Sequence, residues 1–126
     1  MSKTRFVIAI NCMDGRVQLP VIEWMKKTYH ADYVDMVTEP GPIKHLAENN
    51  PDYVSSIKHR VEISVHKHGS NVVAVVGHYD CAGNPVEKEV QLEQLDRSIE
   101  LLKTWGLDAT FLQLWVDEHW NVVQIK

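Results

Sequence analysis

The segment FVIAINCMDGR, residues 6–16, decides the fold of this chain. Its first five residues are apolar and rich in β-branched side chains, a pattern that predicts a short strand buried on both faces of a parallel sheet. Cys12, Asp14 and Arg16 follow directly after this strand. Open parallel sheets bind their ligands beyond the carboxyl ends of the strands. The segment therefore predicts an α/β protein with a functional site at this edge.

Four more segments are predicted to be strands. Residues 72–76 (VVAVV) repeat the apolar pattern of residues 6–10, and residues 33–37 and 110–116 are further candidates. The connection after residue 116 is too short for a crossover helix. Residues 121–125 are therefore predicted to return as an antiparallel edge strand.

Helical patterns lie between the predicted strands. One helix follows Arg16 and has Pro20 in its first turn, a second spans residues 50–69, and a third spans about residues 84–106. Alternating strands and helices predict right-handed crossovers and a mainly parallel sheet. We expect α/β architecture with about five strands, the last one antiparallel, and helices on both faces. Residues 1–126 are predicted to form a single α/β domain.

Composition excludes several classes of function. The 13 basic residues are scattered among 17 acidic ones, and this distribution disfavours nucleic acid as a partner. No apolar run approaches the roughly 20 residues of a membrane span, and the first residues lack the apolar stretch of a secretion signal. A cytoplasmic location without membrane contact is therefore expected. No glycine-rich phosphate loop follows any predicted strand, so a nucleotide cofactor is not indicated.

The two cysteines, Cys12 and Cys81, are better explained by a metal site than by a disulfide in a reducing compartment. Cys81 ends the segment GHYDC, residues 77–81, directly after the strand predicted at residues 72–76. If the two strands are neighbours, Cys12, His78 and Cys81 converge, and this donor set suits a tetrahedral zinc with an open fourth position. Buried inert thiols are the alternative for the cysteines, while a redox pair would leave His78 unexplained.

The two motifs together, Cys-x-Asp-x-Arg at residues 12–16 and His-x-x-Cys at residues 78–81, resemble the active-site signature of β-class carbonic anhydrases. The similarity covers most of residues 6–125 and indicates a short, divergent member. It implies a β-carbonic-anhydrase-like fold and one Zn²⁺ per chain, bound by Cys12, His78 and Cys81.

The resemblance also implies that Asp14 and Arg16 are catalytic, with Arg16 holding Asp14 away from the zinc. The implied activity is that of a carbonate dehydratase, a zinc lyase that interconverts carbon dioxide and bicarbonate through a zinc-bound hydroxide. A small-molecule substrate and a homodimer or higher homo-oligomer are implied as well.

The chain departs from the family pattern at three places. Cys12 lies near the start, where the family usually carries a longer helical arm, and TEPGP at residues 38–42 replaces the usual Arg-Asn-Ala-Gly-Asn. The glycine expected directly after Cys81 comes one residue later, as Gly83. Two alternatives therefore stand beside the lyase: hydrolysis of another small electrophile, such as carbonyl sulfide or carbon disulfide, and a zinc-binding module without catalysis.

Three smaller questions stay open at the level of sequence. The fourth zinc ligand can be water or Asp14. Asp80 is either a neighbour of the site or a solvated side chain, and Trp120 is most simply a core or interface aromatic.

Overall fold

The computed structural model describes residues 4–126 and contains one five-stranded sheet in the order β2-β1-β3-β4-β5. The first four strands are parallel and β5 is antiparallel to β4. The strands are β1 (Phe6–Cys12), β2 (Tyr33–Glu39), β3 (Val72–His78), β4 (Thr110–Val116) and β5 (Val122–Gln124). The helices are α1 (Gln18–Tyr29), α2 (Pro42–Ala47), α3 (Pro51–Lys67) and α4 (Lys88–Lys103), and a 3-10 turn (Gly15–Val17) precedes α1. The predicted mainly parallel sheet with a final antiparallel strand is confirmed.

Helices cover both faces of the sheet, as predicted, but unequally. Alternate residues of β1 point to opposite faces, so Val7 and Ala9 pack in the core under α1, while Ile8 and Ile10 pack in the core under the other helices. The first core includes Val21 and Met25 of α1. The second core takes residues from α2, α3 and α4, namely Ile43, Leu46, Ile57, Val61, Leu95, Ile99 and Leu102.

Local signals explain where the longest helix begins and ends. The side chain of Asn50 caps α3 by accepting a hydrogen bond from the Asp52 N–H at 3.1 Å, and Pro51 occupies the first helical position. Gly69 follows the helix with a φ of +74°, a left-handed conformation that glycine adopts without steric cost. Both boundaries agree with the predicted span.

Several predicted boundaries were wrong. β1 continues through Cys12 and β3 through His78, so each of these residues is the last of its strand, whereas both were predicted to lie beyond the strand end. The third predicted helix begins at Lys88 instead of residue 84, because Asn84 is buried and donates to the Gln94 side chain at 2.6 Å. Helix α2 was not predicted, since its proline and glycine neighbours indicate a loop.

The order of the strands creates a switch point between β1 and β3. The chain leaves β1 towards β2 on one side and leaves β3 towards β4 on the other, while β1 and β3 pair directly through Ala9 and Ala74. The carboxyl ends of such neighbours border the crevice in which open α/β sheets bind ligands. Cys12 and His78 stand at these two ends. Within residues 4–126, no helix combines the length and apolar character that a membrane crossing requires.

Candidate metal centre

Cys12, His78 and Cys81 converge at the switch point, and all three are buried. One donor atom from each lies within 4.8 Å of the other two, and the Sγ atoms of Cys12 and Cys81 are 3.9 Å apart. Two thiolates bound to a tetrahedral zinc at the usual bond length have their sulfurs about 3.8 Å apart. The three side chains therefore fit one tetrahedral metal ion.

The imidazole of His78 is oriented for metal binding. Its Nδ1 lies 2.7 Å from the carbonyl oxygen of Tyr79, and because a carbonyl can only accept, Nδ1 carries the proton. The neutral ring then has a free lone pair on Nε2, which is buried and has no hydrogen-bond partner. Buried polar atoms are normally satisfied. A metal ion held by Cys12 and Cys81 would satisfy this one, as in many histidine-metal sites.

Gln91 of α4 fixes the backbone on which His78 is carried. Its buried side-chain amide donates from Nε2 to the His78 carbonyl at 2.8 Å and accepts from the His78 N–H at 3.1 Å. Sequence reasoning missed Gln91. The available signal is its position four residues before Leu95, on the apolar stripe of α4, where a polar side chain needs a buried partner.

The turn after Cys12 is held by two amide side chains that were also missed. Gln18 donates to the carbonyl oxygens of Cys12 at 2.6 Å and Asp14 at 2.9 Å. Asn11 is fully buried, accepts from the Cys12 N–H at 2.9 Å and donates to the carbonyl of Val17 at 3.1 Å. The backbone on both sides of the ligand is thus tied to the start of α1.

Asp14 and Arg16 form a close ion pair beside the three candidate ligands. Arg16 donates from Nε to the two carboxylate oxygens at 3.1 and 3.2 Å and from Nη2 to Oδ2 at 2.7 Å. The backbone N–H of Arg16 also reaches Oδ1 at 2.9 Å. These contacts lower the pKa of Asp14 from 3.8 to about 2. Its carboxylate does not belong to the convergent set of donor atoms.

Arg16 also reaches the segment that carries His78 and Cys81, the other two candidate ligands. Its Nη1 donates to the Asp80 carboxylate at 3.3 Å, and its Nη2 donates to the Asp80 carbonyl at 3.1 Å. The second contact uses backbone, so the guanidinium bridges the turn after Cys12 to the segment between His78 and Cys81. Asp80 is therefore a neighbour of the site, and its partner is Arg16.

The two thiols do not have equal proton affinities. The contact with Cys81 lowers the pKa of Cys12, aided by His78 and by the backbone at Gly41 and Asp14. The same contact raises the pKa of Cys81, and burial raises it further. Burial is the largest single effect on His78 and opposes its charging, but Cys12, the Tyr79 carbonyl and the Asp14 charge together outweigh burial and raise the pKa of His78. The shifts have opposite directions because the two sulfurs share one contact, and binding of a metal by both as thiolates would release the proton between them.

The departures at residues 38–42 and at Gly83 have a common structural reason. A Cβ atom at Gly83 would lie 2.7 Å from Pro40, and one at Gly41 would lie 2.6 Å from the Cβ of Asn84. The loop of residues 38–42 therefore meets the loop after Cys81 at close backbone distance, beside the candidate ligands. Gly83 permits this contact because it has no Cβ atom. The carboxylate introduced at Glu39 is paired with Arg60 of α3.

A mainly parallel α/β sheet with two cysteines and a histidine at its switch point defines a protein of the β-carbonic anhydrase type. Residues 2–126 match the family described as "Putative carbonic anhydrase", and the chain belongs to this family. Its structure is similar to the crystal structure of β-carbonic anhydrase isoform I from the protozoan Trichomonas vaginalis, with a TM-score of 0.67 over 98% of this chain and 84% of that one. The two sequences are 12% identical, so this likeness concerns the fold. No curated protein matches the sequence.

Proposed function

We propose that this protein is a zinc-dependent lyase that interconverts carbon dioxide and bicarbonate. The observation that carries the proposal is the convergence of Cys12, His78 and Cys81 around the unpartnered Nε2 of His78. Membership of the family described as "Putative carbonic anhydrase" supports the same activity. Both thiols must stay reduced to bind a metal, so we place the protein in the cytoplasm.

Cys12, His78 and Cys81 would hold the zinc, and the ion would supply Lewis acidity that generates a nucleophile from water near neutral pH. Two thiolates neutralise the charge of the ion, so a further anionic ligand is unfavourable there. Arg16 retains the Asp14 carboxylate by three side-chain contacts. With its low pKa, Asp14 stays ionised near neutral pH and is available as a hydrogen-bond acceptor beside the reacting molecule.

The test combines zinc analysis with the rate of carbon dioxide hydration. Cys81→Ser removes a thiolate, so we expect at least about a tenfold loss of zinc affinity together with loss of activity. Asp14→Asn is expected to retain zinc and to lose about a hundredfold in rate. The matched control is Asp108→Asn, because Asp108 is exposed and lies outside the site. A Cys81→Ser protein with full zinc and full activity contradicts the ligand assignment.

A second candidate keeps the same residues but takes another linear electrophile, carbonyl sulfide or carbon disulfide. The specific observation in its favour is the altered loop of residues 38–42, which approaches the Cys12 thiol through the backbone of Gly41. Relative rates on the three gases, measured with one zinc-loaded sample, separate the two candidates. A protein that holds zinc and is inert towards all three gases would be a binding module.

A further inference from the structure

The guanidinium of Arg16 is contacted from three different loops at the carboxyl edge of the sheet. Asp14 belongs to its own turn, Asp80 lies between two of the candidate metal ligands, and Trp120 comes from the connection between β4 and β5. The central carbon of the guanidinium lies 4.4 Å from the centroid of the Trp120 ring. Indole is the strongest aromatic partner for a cation at this distance.

The connection between β4 and β5 is built to present this indole. Trp120 has a φ of +61°, in the left-handed region that bulky side chains rarely occupy. Asp117 stabilises the turn, because its carboxylate accepts from the N–H groups of His119 at 2.9 Å and Asn121 at 3.0 Å. Its carbonyl accepts from the Trp120 N–H at 2.9 Å. The indole also packs against the core under α1, so the core supports the ring.

Arg16 needs such support because 45% of its side chain is exposed. Water competes for the hydrogen bonds of an exposed ion pair, and the long side chain has many rotamers. A ring stacked on the guanidinium removes rotamers without using any of its N–H donors. The donors remain free for the Asp14 carboxylate and the Asp80 carbonyl.

We propose that Trp120 is a positioning residue for the candidate metal centre. Its indole holds the Arg16 guanidinium in one orientation. In that orientation Arg16 keeps the Asp14 carboxylate away from Cys12, His78 and Cys81, and it joins the turn after Cys12 to the segment between His78 and Cys81. The inference rests on the proposed function, because the retained carboxylate matters only if the fourth metal position is to stay free. Without the ring, Arg16 leaves this orientation, and Asp14 competes for that position.

Two readouts besides turnover test this role. The first is the Arg16 Nε–H resonance in ¹⁵N-labelled, zinc-loaded protein, which a ring at this distance shifts upfield and shields from exchange. The second is the affinity of the cobalt-substituted protein for azide, an anion that needs a free metal position, followed by the visible spectrum. Trp120→Leu is expected to abolish the upfield shift and to weaken azide binding about fivefold to tenfold. Trp120→Phe, which retains a ring face, should stay within about twofold of the unsubstituted protein on both readouts.

Trp105→Leu is the matched control, because Trp105 packs against the core on the opposite face of the sheet. It is expected to cost stability while leaving the Arg16 resonance and azide affinity unchanged. The inference is overturned if the unsubstituted protein shows no upfield shift of Arg16, if it binds no azide, or if Trp120→Leu retains azide affinity within about twofold. Should Trp120→Leu not fold, the resonance of the unsubstituted protein decides the question. Azide binding and an Arg16 shift without turnover on any gas would instead contradict the proposed function.

Discussion

Both carboxylate oxygens of Asp14 accept hydrogen bonds from the Arg16 guanidinium, so Arg16 has the largest effect on the pKa of Asp14. Hydrogen bonds from Arg16 lower the pKa of Asp14 from 3.8 to about 2. Arg16→Gln removes the side-chain hydrogen bonds and the charge but keeps the backbone N–H bond, so we expect the pKa of Asp14 to rise part of the way towards 3.8. A carboxyl-carbon NMR titration measures both midpoints. Lys67→Gln removes an exposed cation at the end of α3 and should leave the Asp14 midpoint unchanged.

The lowered pKa of Asp14 also determines how the stability of the fold changes with pH. The pKa of Asp14 is lower in the folded chain than its ordinary value, so the folded state favours the ionised form. The pair therefore stabilises the fold fully above about pH 4, and its contribution disappears as the pH falls through about 2. Solvent screening keeps this contribution small, since nearly half of the Arg16 side chain is exposed. An equal acid dependence of unfolding in the unsubstituted protein and in Arg16→Gln would contradict this assignment.

Gln91 contributes to stability, because its side-chain amide forms hydrogen bonds with the N–H and the carbonyl of His78, which are both buried. Gln91→Leu preserves volume but leaves those groups unpaired, and we expect a loss of about 2 kcal/mol in the free energy of unfolding. Urea unfolding measures the loss. Gln124→Leu, at an exposed position of β5, should change the free energy of unfolding by less than about 0.5 kcal/mol. Equal stability of the two variants would show that His78 does not depend on Gln91.

The loop of residues 38–42 packs closely against the backbone at Gly83, beside the candidate ligands. A methyl group there would lie 2.7 Å from the carbonyl carbon and the Cβ of Pro40, and neither atom can move without shifting the loop. Gly83→Ala is therefore expected to lower the free energy of unfolding by about 1–3 kcal/mol. Gly15→Ala is the control, because a Cβ atom at Gly15 meets nothing within 4 Å. A Gly83→Ala protein as stable as the Gly15→Ala protein would contradict the contact.

Secondary structure was predictable wherever one pattern dominates. β1 and β3 are buried on both faces, so their sequences are almost purely apolar and mark central strands directly. Helix α2 was missed because it is six residues long and begins at Pro42, directly after Gly41. The start of α4 was misplaced because Asn84 and Pro85 have the form of a helix start, while the buried contact of Asn84 with Gln94 holds that segment in a turn. A tertiary contact therefore determines where α4 begins.

The convergence of Cys12, His78 and Cys81 was predictable because each residue ends or follows a strand whose pattern is clear. Cys12 and His78 are brought together by strand order alone, and Cys81 follows within one turn of His78. The supporting residues were harder to find, because Gln91 and Trp120 contact the site from elements that come later in the chain. A tryptophan in a loop has no pattern that reveals a cation 4.4 Å away. Its role follows from the fold rather than from a motif.

The molecule as a whole exposes apolar side chains on the segments that carry the candidate metal centre. Met13 follows Cys12 and is 60% exposed, Tyr79 follows His78 and is 50% exposed, and Leu19 in the first turn of α1 is 66% exposed. Met13 and Tyr79 directly follow candidate metal ligands, so they are candidates for contact with another protein beside the site. The resemblance to β-class carbonic anhydrases implies that this other protein is a second copy. We therefore propose a homodimer with this surface in the interface.

Sedimentation equilibrium at micromolar concentration tests the dimer, for which we expect twice the 14.5 kDa mass of the chain. Leu19→Arg places a charge in the proposed interface without touching a ligand, and unpaired buried charge is strongly unfavourable, so we expect the mass to fall to that of one chain. Ile63→Arg is the matched control, because Ile63 is an exposed apolar residue of α3 outside this surface. A single-chain mass for the unsubstituted protein contradicts the dimer. Dissociation by Ile63→Arg with retention of the dimer in Leu19→Arg would place the interface on α3 instead.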